Sequence, residues 1–143
     1  VAYDFFTQTL GFATFYKGKP YTAKTPTTTP IGIPLSLTTS VPYRAGIVYP
    51  VEGEFGRMEM IEVMGLDGFD YSDRCEAPNL GILAVRYPVA NIEQAKALVL
   101  ERGGRLWRDI SSVELGEMGE VDLFSVKTPD GAIMQFFSDP SAQ

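Results

Sequence analysis

Residues 81–104, which read GILAVRYPVANIEQAKALVLERGG, decide the order of strands and helices predicted for this chain. Apolar alternation over 81–87 predicts a β-strand whose two faces differ. Asn91 then has the chemistry of a helix N-cap, and Gln94 stands three residues later, as in a capping box. The Gly103-Gly104 pair predicts the helix end. The apolar stripe of this helix consists of Ile92, Ala95, Leu98 and Val99. This stretch therefore predicts a strand followed directly by an amphipathic helix.

Three more strands are predicted after this helix. They cover 105–110, 121–126 and 132–137, where β-branched and aromatic residues are frequent. Pro129-Asp130-Gly131 predicts the turn between the last two, because proline presets φ and the residues after it tolerate turn conformations. The second half of the chain therefore has the order strand–helix–strand–strand–strand.

The first half of the chain repeats this order without its leading strand. Tyr3, Phe6 and Leu10 recur at helical spacing, and Gly11 stands where a helix C-terminal glycine belongs. Strands are predicted over 12–16, 44–49 and 57–64, with Gly53 and Gly56 marking the turn between the last two. A sheet that lacks its leading strand has an unpaired edge. We therefore expect residues upstream of Val1, or a second subunit, to cover that edge.

Two irregular segments separate these elements. Residues 17–43 are rich in threonine and proline, and proline at that density removes ladder donors, which predicts a long loop folded over the body rather than a linker. Residues 65–80 form an acidic connection. The prediction is one α+β domain over 1–143. Its module one covers 1–64 and contains the loop 17–43, the connection covers 65–80, and module two covers 81–143.

The composition excludes several classes of protein. The chain has 143 residues, a formal net charge of −6 and no histidine. An acidic balance argues against nucleic acid as a partner. No apolar run approaches the length of a membrane span, and the single cysteine, Cys75, fits a reducing, cytoplasmic compartment. The lack of histidine removes the commonest transition-metal ligand and the commonest general acid/base.

Strand alternation places a set of polar residues on the faces turned away from the predicted helices. In 82–87 one face is purely apolar, so Ala84 and Arg86 point to the other side. We predict that four ligand-binding residues converge inside an apolar bowl: Arg57, Glu59, Arg86 and Gln135. The alternative is that Glu59 and Arg86 form a buried salt bridge or reach solvent at the sheet edges. Trp107 is expected in the core or on a dimer surface.

Four stretches carry a family resemblance. They are residues 3–12 (YDFFTQTLGF), 57–62 (RMEMIE), 81–97 and 128–137 (TPDGAIMQFF). Together, in this order, they resemble the vicinal oxygen chelate superfamily, which includes glyoxalases, bleomycin-resistance proteins, extradiol dioxygenases and methylmalonyl-CoA epimerase. The resemblance implies paired βαβββ modules, each a curved sheet, enclosing a cavity that usually holds a divalent metal.

The metal-ligand positions that the resemblance implies are poorly filled. They lie on the first and last strands of each module, and the leading strand of module one is not in this chain. Glu59 is the only credible ligand, because Ala84 stands where a histidine is expected and Gln135 where a glutamate is expected. Alanine cannot coordinate a metal, and glutamine is a weak neutral donor. We therefore predict no tightly bound metal and no other cofactor.

Two main functions remain open at this point. The first is a metal-free protein that binds a small molecule, an anionic one if the donors of Arg86 are not all taken by Glu59. The second is an enzyme, a lyase, isomerase or dioxygenase, with metal ligands supplied by the missing strand or a partner chain. In an enzyme, a buried Glu59 could also be the catalytic base. The chain is further expected to form a homodimer or to be one domain of a longer protein.

Overall fold

The computed structural model describes residues 1–29, 31–50, 56–75 and 77–142. The turn predicted at Gly53 lies outside these residues. The chain forms two compact units: unit 1 comprises Val1–Phe12 and Asp70–Gln143, and unit 2 comprises Ala13–Phe69. Residues 1–12, which the order of elements assigns to module one, therefore pack within unit 1.

The helices and strands follow the predicted order. In chain order they are α1 (Ala2–Asp4), β1 (Ala13–Lys17), β2 (Tyr43–Tyr49), β3 (Met58–Val63), β4 (Ala84–Val89), α2 (Ile92–Glu101), β5 (Leu106–Glu114), β6 (Glu120–Lys127) and β7 (Ile133–Ser138). A π-helical turn over Phe5–Thr9 extends α1, and 3₁₀ turns lie at Leu35–Leu37, Ser72–Arg74 and Gly116–Met118. The predicted α+β class is confirmed.

The residues predicted to begin and end the helices have the expected cap hydrogen bond and backbone conformations. The side chain of Asn91 accepts a hydrogen bond from the backbone N–H of Gln94 at 2.9 Å, which caps α2. Gly103 has a φ of +80° just beyond the end of α2, and Gly11 has a φ of +77° after the first helical segment. Both values lie in the left-handed region that favours glycine at helix ends.

Two strands differ from their predicted bounds by more than one residue at an end. Strand β4 begins at Ala84 rather than at 81 and continues through Pro88 to Val89. Proline is tolerated there because β4 is the edge strand of its sheet. Strand β5 continues to Glu114 rather than ending at 110. Its pairing with β6 continues beyond two register shifts, which the sequence pattern does not reveal.

Unit 1 contains a four-stranded sheet in the order β4-β7-β6-β5. Strand β4 pairs with β7 in parallel, and the other neighbours are antiparallel. Aromatic rings pack in a continuous series on one face of this sheet: Phe6, Phe12, Tyr87, Phe136 and Phe124. Helix α2 packs against β6 and β7. Burial in this series raises the pKa of the Tyr87 hydroxyl. We call this the helix face of the sheet.

Unit 2 contains a three-stranded antiparallel sheet in the order β1-β2-β3. Residues 18–42 are mostly loop, as predicted, and this loop folds back on β2 through a bridge between Tyr21 and Tyr43. Within the loop the fully buried Thr38 donates its hydroxyl to the carbonyl of Leu35 and accepts the N–H of Thr27. These bonds link Thr38 to Thr27 and Leu35 without a regular ladder.

The two sheets differ at one strand. In unit 1, the last strand β7 pairs with β6 on one side and with β4 on the other. In unit 2, the last strand β3 pairs with β2, and no other strand of the described residues pairs with it. The predicted covering of this edge stays a prediction.

Candidate ligand-binding face

A row of polar residues crosses the four-stranded sheet of unit 1. Arg86 on β4 is paired with Gln135 on β7, Gln135 with Ser125 on β6, and Ser125 with Arg108 on β5. Residues paired in this way point to the same face of a sheet. Because Tyr87, the neighbour of Arg86, lies on the helix face, the row lies on the opposite face. We call that opposite surface the basic face.

One pair in this row is held by a short hydrogen bond. Arg86 Nε donates to Gln135 Oε1 at 2.6 Å, across the two parallel strands. The Arg86 side chain is exposed, and no carboxylate of the described residues forms an ion pair with it. The strand phase expected for Arg86 is therefore observed. Because Gln135 is neutral, this hydrogen bond does not compensate the positive charge of Arg86, and no ion pair among the described residues does so.

A second cationic group lies further along the same face. Lys127 is two residues beyond Ser125 on β6, so it shares the basic face, and its Nζ lies 4.7 Å from the centroid of the Trp107 ring. The Arg108 guanidinium carbon lies 5.6 Å from the same centroid. Trp107 falls at the register shift between Leu106 and Arg108, where an extra residue is accommodated in β5. The bulge accounts for the indole lying beside two cations of the basic face.

The charge on the basic face has one sign. The register of β4 to β7 assigns Arg86, Arg108 and Lys127 to it and assigns no aspartate or glutamate. The nearby Asp109 instead pairs with Lys96 of α2 at 2.6 Å. In a chain with a net charge of −6, the exposed Arg86 and Arg108 place positive charge at the two ends of this row, whereas Ser125 between them is 1% exposed.

The other two predicted site residues lie in unit 2. Arg57 stacks its guanidinium carbon 3.9 Å from the centroid of the Phe15 ring. Glu59 is exposed on β3 and is paired across the sheet with Ile47. A role for Glu59 as a catalytic base was expected to need a buried side chain, and Glu59 is exposed. The convergence of Arg57 and Glu59 with Arg86 and Gln135 remains a prediction.

The positions implied for a metal do not have a donor set that fits one. Ala84 presents a methyl group, and the oxygen of Gln135 accepts a hydrogen bond from a guanidinium, which occupies it with a positive charge. Within the described ranges, no three His, Cys, Asp or Glu residues are grouped so that they could hold a metal ion. The residues present therefore do not fit the divalent metal that the family resemblance implies.

Sequence reasoning missed part of this surface. Ser125, Arg108 and Lys127 join Arg86 and Gln135 only through the strand register, which a single sequence does not reveal. Trp107 was expected in the core or on a dimer surface; 36% of its surface is exposed, which excludes the core, and its ring lies beside cations. The only signal available was that Trp107 stands next to Arg108 within one strand.

Three solved structures have a fold similar to that of this chain. One is TnmS3, an antibiotic binding protein from Streptomyces sp. CB03234, with a TM-score of 0.55 and 16% identity over 96% of this chain and 83% of that chain. A glyoxalase I variant from Zea mays gives a TM-score of 0.61 and 15% identity over 98% of this chain and 40% of that chain. A member of the glyoxalase/bleomycin resistance protein/dioxygenase superfamily from Sphaerobacter thermophilus DSM 20745 gives 0.51 and 16%, over 96% and 86%.

The chain has the vicinal oxygen chelate fold. Identities of 15% and 16% show the fold alone. No protein-family model matches the sequence, and a search of curated protein sequences finds no significant match. None of the helices in the described ranges has the length and apolar character to cross a membrane.

Proposed function

We propose that this protein binds a small anionic molecule on the basic face of unit 1 and does so without a metal. The observation that carries this proposal is the hydrogen bond from Arg86 Nε to Gln135 Oε1. A neutral acceptor orients the guanidinium and leaves its charge uncompensated. A carboxylate or phosphate is the natural partner for such a group.

The remaining donors of Arg86 are suited to this role. A guanidinium has five N–H donors in a planar fork, and Gln135 uses one of them. The terminal nitrogens can then form two parallel hydrogen bonds to one carboxylate. Charge-assisted bonds of this kind contribute roughly 1.5–3 kcal/mol each, less where solvent screens them.

A binding role is also found in a solved structure with a similar fold. TnmS3, which is described as an antibiotic binding protein, has this fold and was matched over 96% of the present chain. A binding protein needs a shaped and charged surface but no metal ligands. A binding role is therefore compatible with Ala84 and Gln135 at the positions where the family resemblance implies metal ligands.

The proposal is tested by measuring binding of small carboxylates and inorganic phosphate to chelator-treated protein, first by thermal shift and then by calorimetry. We expect carboxylate binding that survives chelation and weakens as the salt concentration rises. Arg86→Met should reduce the affinity about tenfold or more, since it removes at least one charge-assisted bond.

The matched control is Arg102→Met, which removes the same charge after the end of α2. This variant should keep the parent affinity. If binding requires an added divalent metal, or if Arg86→Met binds the carboxylate as tightly as the parent does, the proposal is wrong.

A further inference from the structure

Strand β4 has a free edge in the sheet of unit 1. It pairs with β7 on one side, and no strand of the described residues pairs with its other side. The carbonyl of Val89 accepts the N–H of Asp139 at 2.9 Å, so the backbone groups of Val89 point to β7. Because these groups alternate in direction along a strand, those of Ala84, Arg86 and Pro88 point to the free edge. Proline has no N–H, so Pro88 offers only an acceptor there.

Large apolar side chains stand at the start of this edge. Ile82 lies two residues before β4 with 91% of its surface exposed, and Leu80 is 101% exposed. Both residues belong to unit 1, as β4 does. Edge strands are commonly protected by charged side chains, whereas this end of β4 carries leucine and isoleucine. Exposed apolar surface of this kind is typical of a site that another chain covers.

The free edge is self-complementary in an antiparallel arrangement. With a two-fold axis at Ala84, each Ala84 faces the Ala84 of the other copy, and Ile82 of each copy faces Arg86 of the other. These residues alternate in step, so their outward backbone groups meet as hydrogen-bonded pairs. The aliphatic part of each Arg86 side chain then covers an isoleucine. The two guanidinium groups stay on opposite sides of the axis, which avoids placing like charges directly opposite each other.

A second copy of this chain fits the edge better than a longer foreign strand does. Gly81 has a φ of +128°, which bends the chain just before Ile82, and Pro88 lacks a donor at the other end. The edge therefore offers only a short stretch for pairing. A two-fold arrangement forms every contact of that stretch twice and closes the assembly at a dimer.

We propose that two copies of this chain associate by antiparallel pairing of their β4 strands over residues 82–86. The pairing extends β4 by two residues and joins two four-stranded sheets into one. It uses backbone groups in the plane of the sheet, whereas the Arg86 side chain projects from the basic face. The inference therefore goes beyond the proposed function and does not rest on it.

The test measures association by analytical ultracentrifugation over a dilution series that reaches about 1 mM chain, where even a millimolar dissociation constant is detected. We expect the parent to form dimers. Ala84→Pro should abolish them, because proline removes the outward N–H of the central pair and leaves the groups that bond to β7 in place. A parent-like unfolding midpoint of this variant in dilute solution checks that the fold is kept.

The sign of a charge at residue 82 tests the register, and Ile82 is exposed enough for the fold to tolerate the change. Ile82→Lys places an ammonium opposite Arg86 of the second copy, whereas Ile82→Glu places a carboxylate there. Because the two-fold axis creates this pair twice, we expect the dissociation constant of the Ile82→Lys dimer to be at least about tenfold higher than that of the Ile82→Glu dimer. The net charge of −6 alone favours the opposite order, since lysine reduces the repulsion between two acidic chains.

The matched control is Leu100→Lys, which adds the same charge to an exposed apolar position of α2 and should not weaken the dimer. A parent that sediments as a monomer throughout the series would overturn the inference and leave the edge open to a strand of a different protein. A dimer that Ala84→Pro leaves intact also overturns it, because the contact then lies elsewhere. Equal dissociation constants for the two Ile82 variants contradict the register and with it the inference.

Discussion

Gln135 lies directly beside Arg86 on the neighbouring parallel strand, and its side-chain oxygen accepts the Arg86 Nε–H at 2.6 Å. This is the position at which the family resemblance implies an acidic metal ligand. In this chain a neutral amide takes that place and orients a cation. The pair thus converts a position expected to attract a positive ion into one that presents a positive charge.

The identity of residue 135 should therefore control anion binding. Gln135→Glu would place a carboxylate beside the Arg86 guanidinium, where it would take several donors and repel an incoming anion. We expect the affinity for octanoate to fall about tenfold or more, measured by calorimetry near neutral pH.

Gln135→Met is the comparison for this change, because it removes the hydrogen bond without adding a charge. It should weaken binding less than Gln135→Glu does. Equal affinities for the parent and Gln135→Glu would show that Arg86 does not anchor the ligand.

The cap of α2 offers a stability prediction. The side chain of Asn91 satisfies a backbone N–H that has no partner within the helix, at 2.9 Å. Asn91→Ala should therefore lower the free energy of unfolding by about 1 kcal/mol, measured by urea titration. Gln94→Ala should have a much smaller effect, since Gln94 contributes its backbone N–H, which the substitution retains. A similar loss in both variants would argue against the cap as the cause.

Short sequence patterns predict the helices, strands and turns of this fold, whereas the candidate site depends on how distant strands pair. Asn91 caps α2 with its side chain three residues away, and Gly11 and the Pro129-Asp130-Gly131 turn act through their own backbone, so these effects can be predicted from short stretches. The row from Arg86 to Arg108 depends on which residues face each other across four strands. The alternation of each strand gives a residue's face but not its partner, so only the phase of Arg86 was predictable.

The bulge at Trp107 shows the same limit in another form. An inserted residue shifts every later side chain of β5 relative to β6, and no glycine or proline marks it in the sequence. The packing of residues 1–12 within unit 1 was equally hidden. It depends on contacts such as that between Phe12 and Tyr87, whose ring centroids are 5.2 Å apart.

An ion pair between α2 and β5 predicts a dependence of stability on pH. Lys96 Nζ and Asp109 Oδ1 are 2.6 Å apart. The hydrogen bond from Lys96, followed by that from the Ile110 N–H, holds the pKa of Asp109 below its ordinary value of 3.8. A carboxyl group with a lowered pKa in the folded state stabilises the protein above pH 3.8 and loses this effect as the pH falls through the folded-state pKa.

We therefore expect Asp109→Asn to be less stable than the parent near neutral pH, with a difference that shrinks as the pH falls below 3.8. Thermal unfolding across an acid pH series measures this. Lys96→Met removes the same interaction and should show the same convergence in acid. A difference that stayed constant in strong acid would assign the effect of Asp109→Asn to something other than its charge.

The turn before β7 carries the sharpest packing prediction. Gly131 has a φ of +90°, and a Cβ added there would lie 2.5 Å from the carbonyl oxygen of Ser72, in the segment that precedes β4. The turn itself is fixed by the hydrogen bond from the Gly131 N–H to the Thr128 carbonyl at 2.9 Å. The backbone at Gly131 therefore has little freedom to move away from the Ser72 backbone.

Gly131→Ala should consequently lower the free energy of unfolding by about 3 kcal/mol, combining left-handed backbone strain with overpacking against a backbone rather than a flexible side chain. The matched control is Gly103→Ala, because Gly103 has a similar φ of +80° but an added Cβ there would meet nothing within 4 Å. That variant retains only the strain and should lose about 1 kcal/mol. Urea titrations of both variants measure the difference directly. Equal losses would mean that the close approach of Ser72 to Gly131 has no energetic consequence, whereas the predicted excess isolates the cost of that contact.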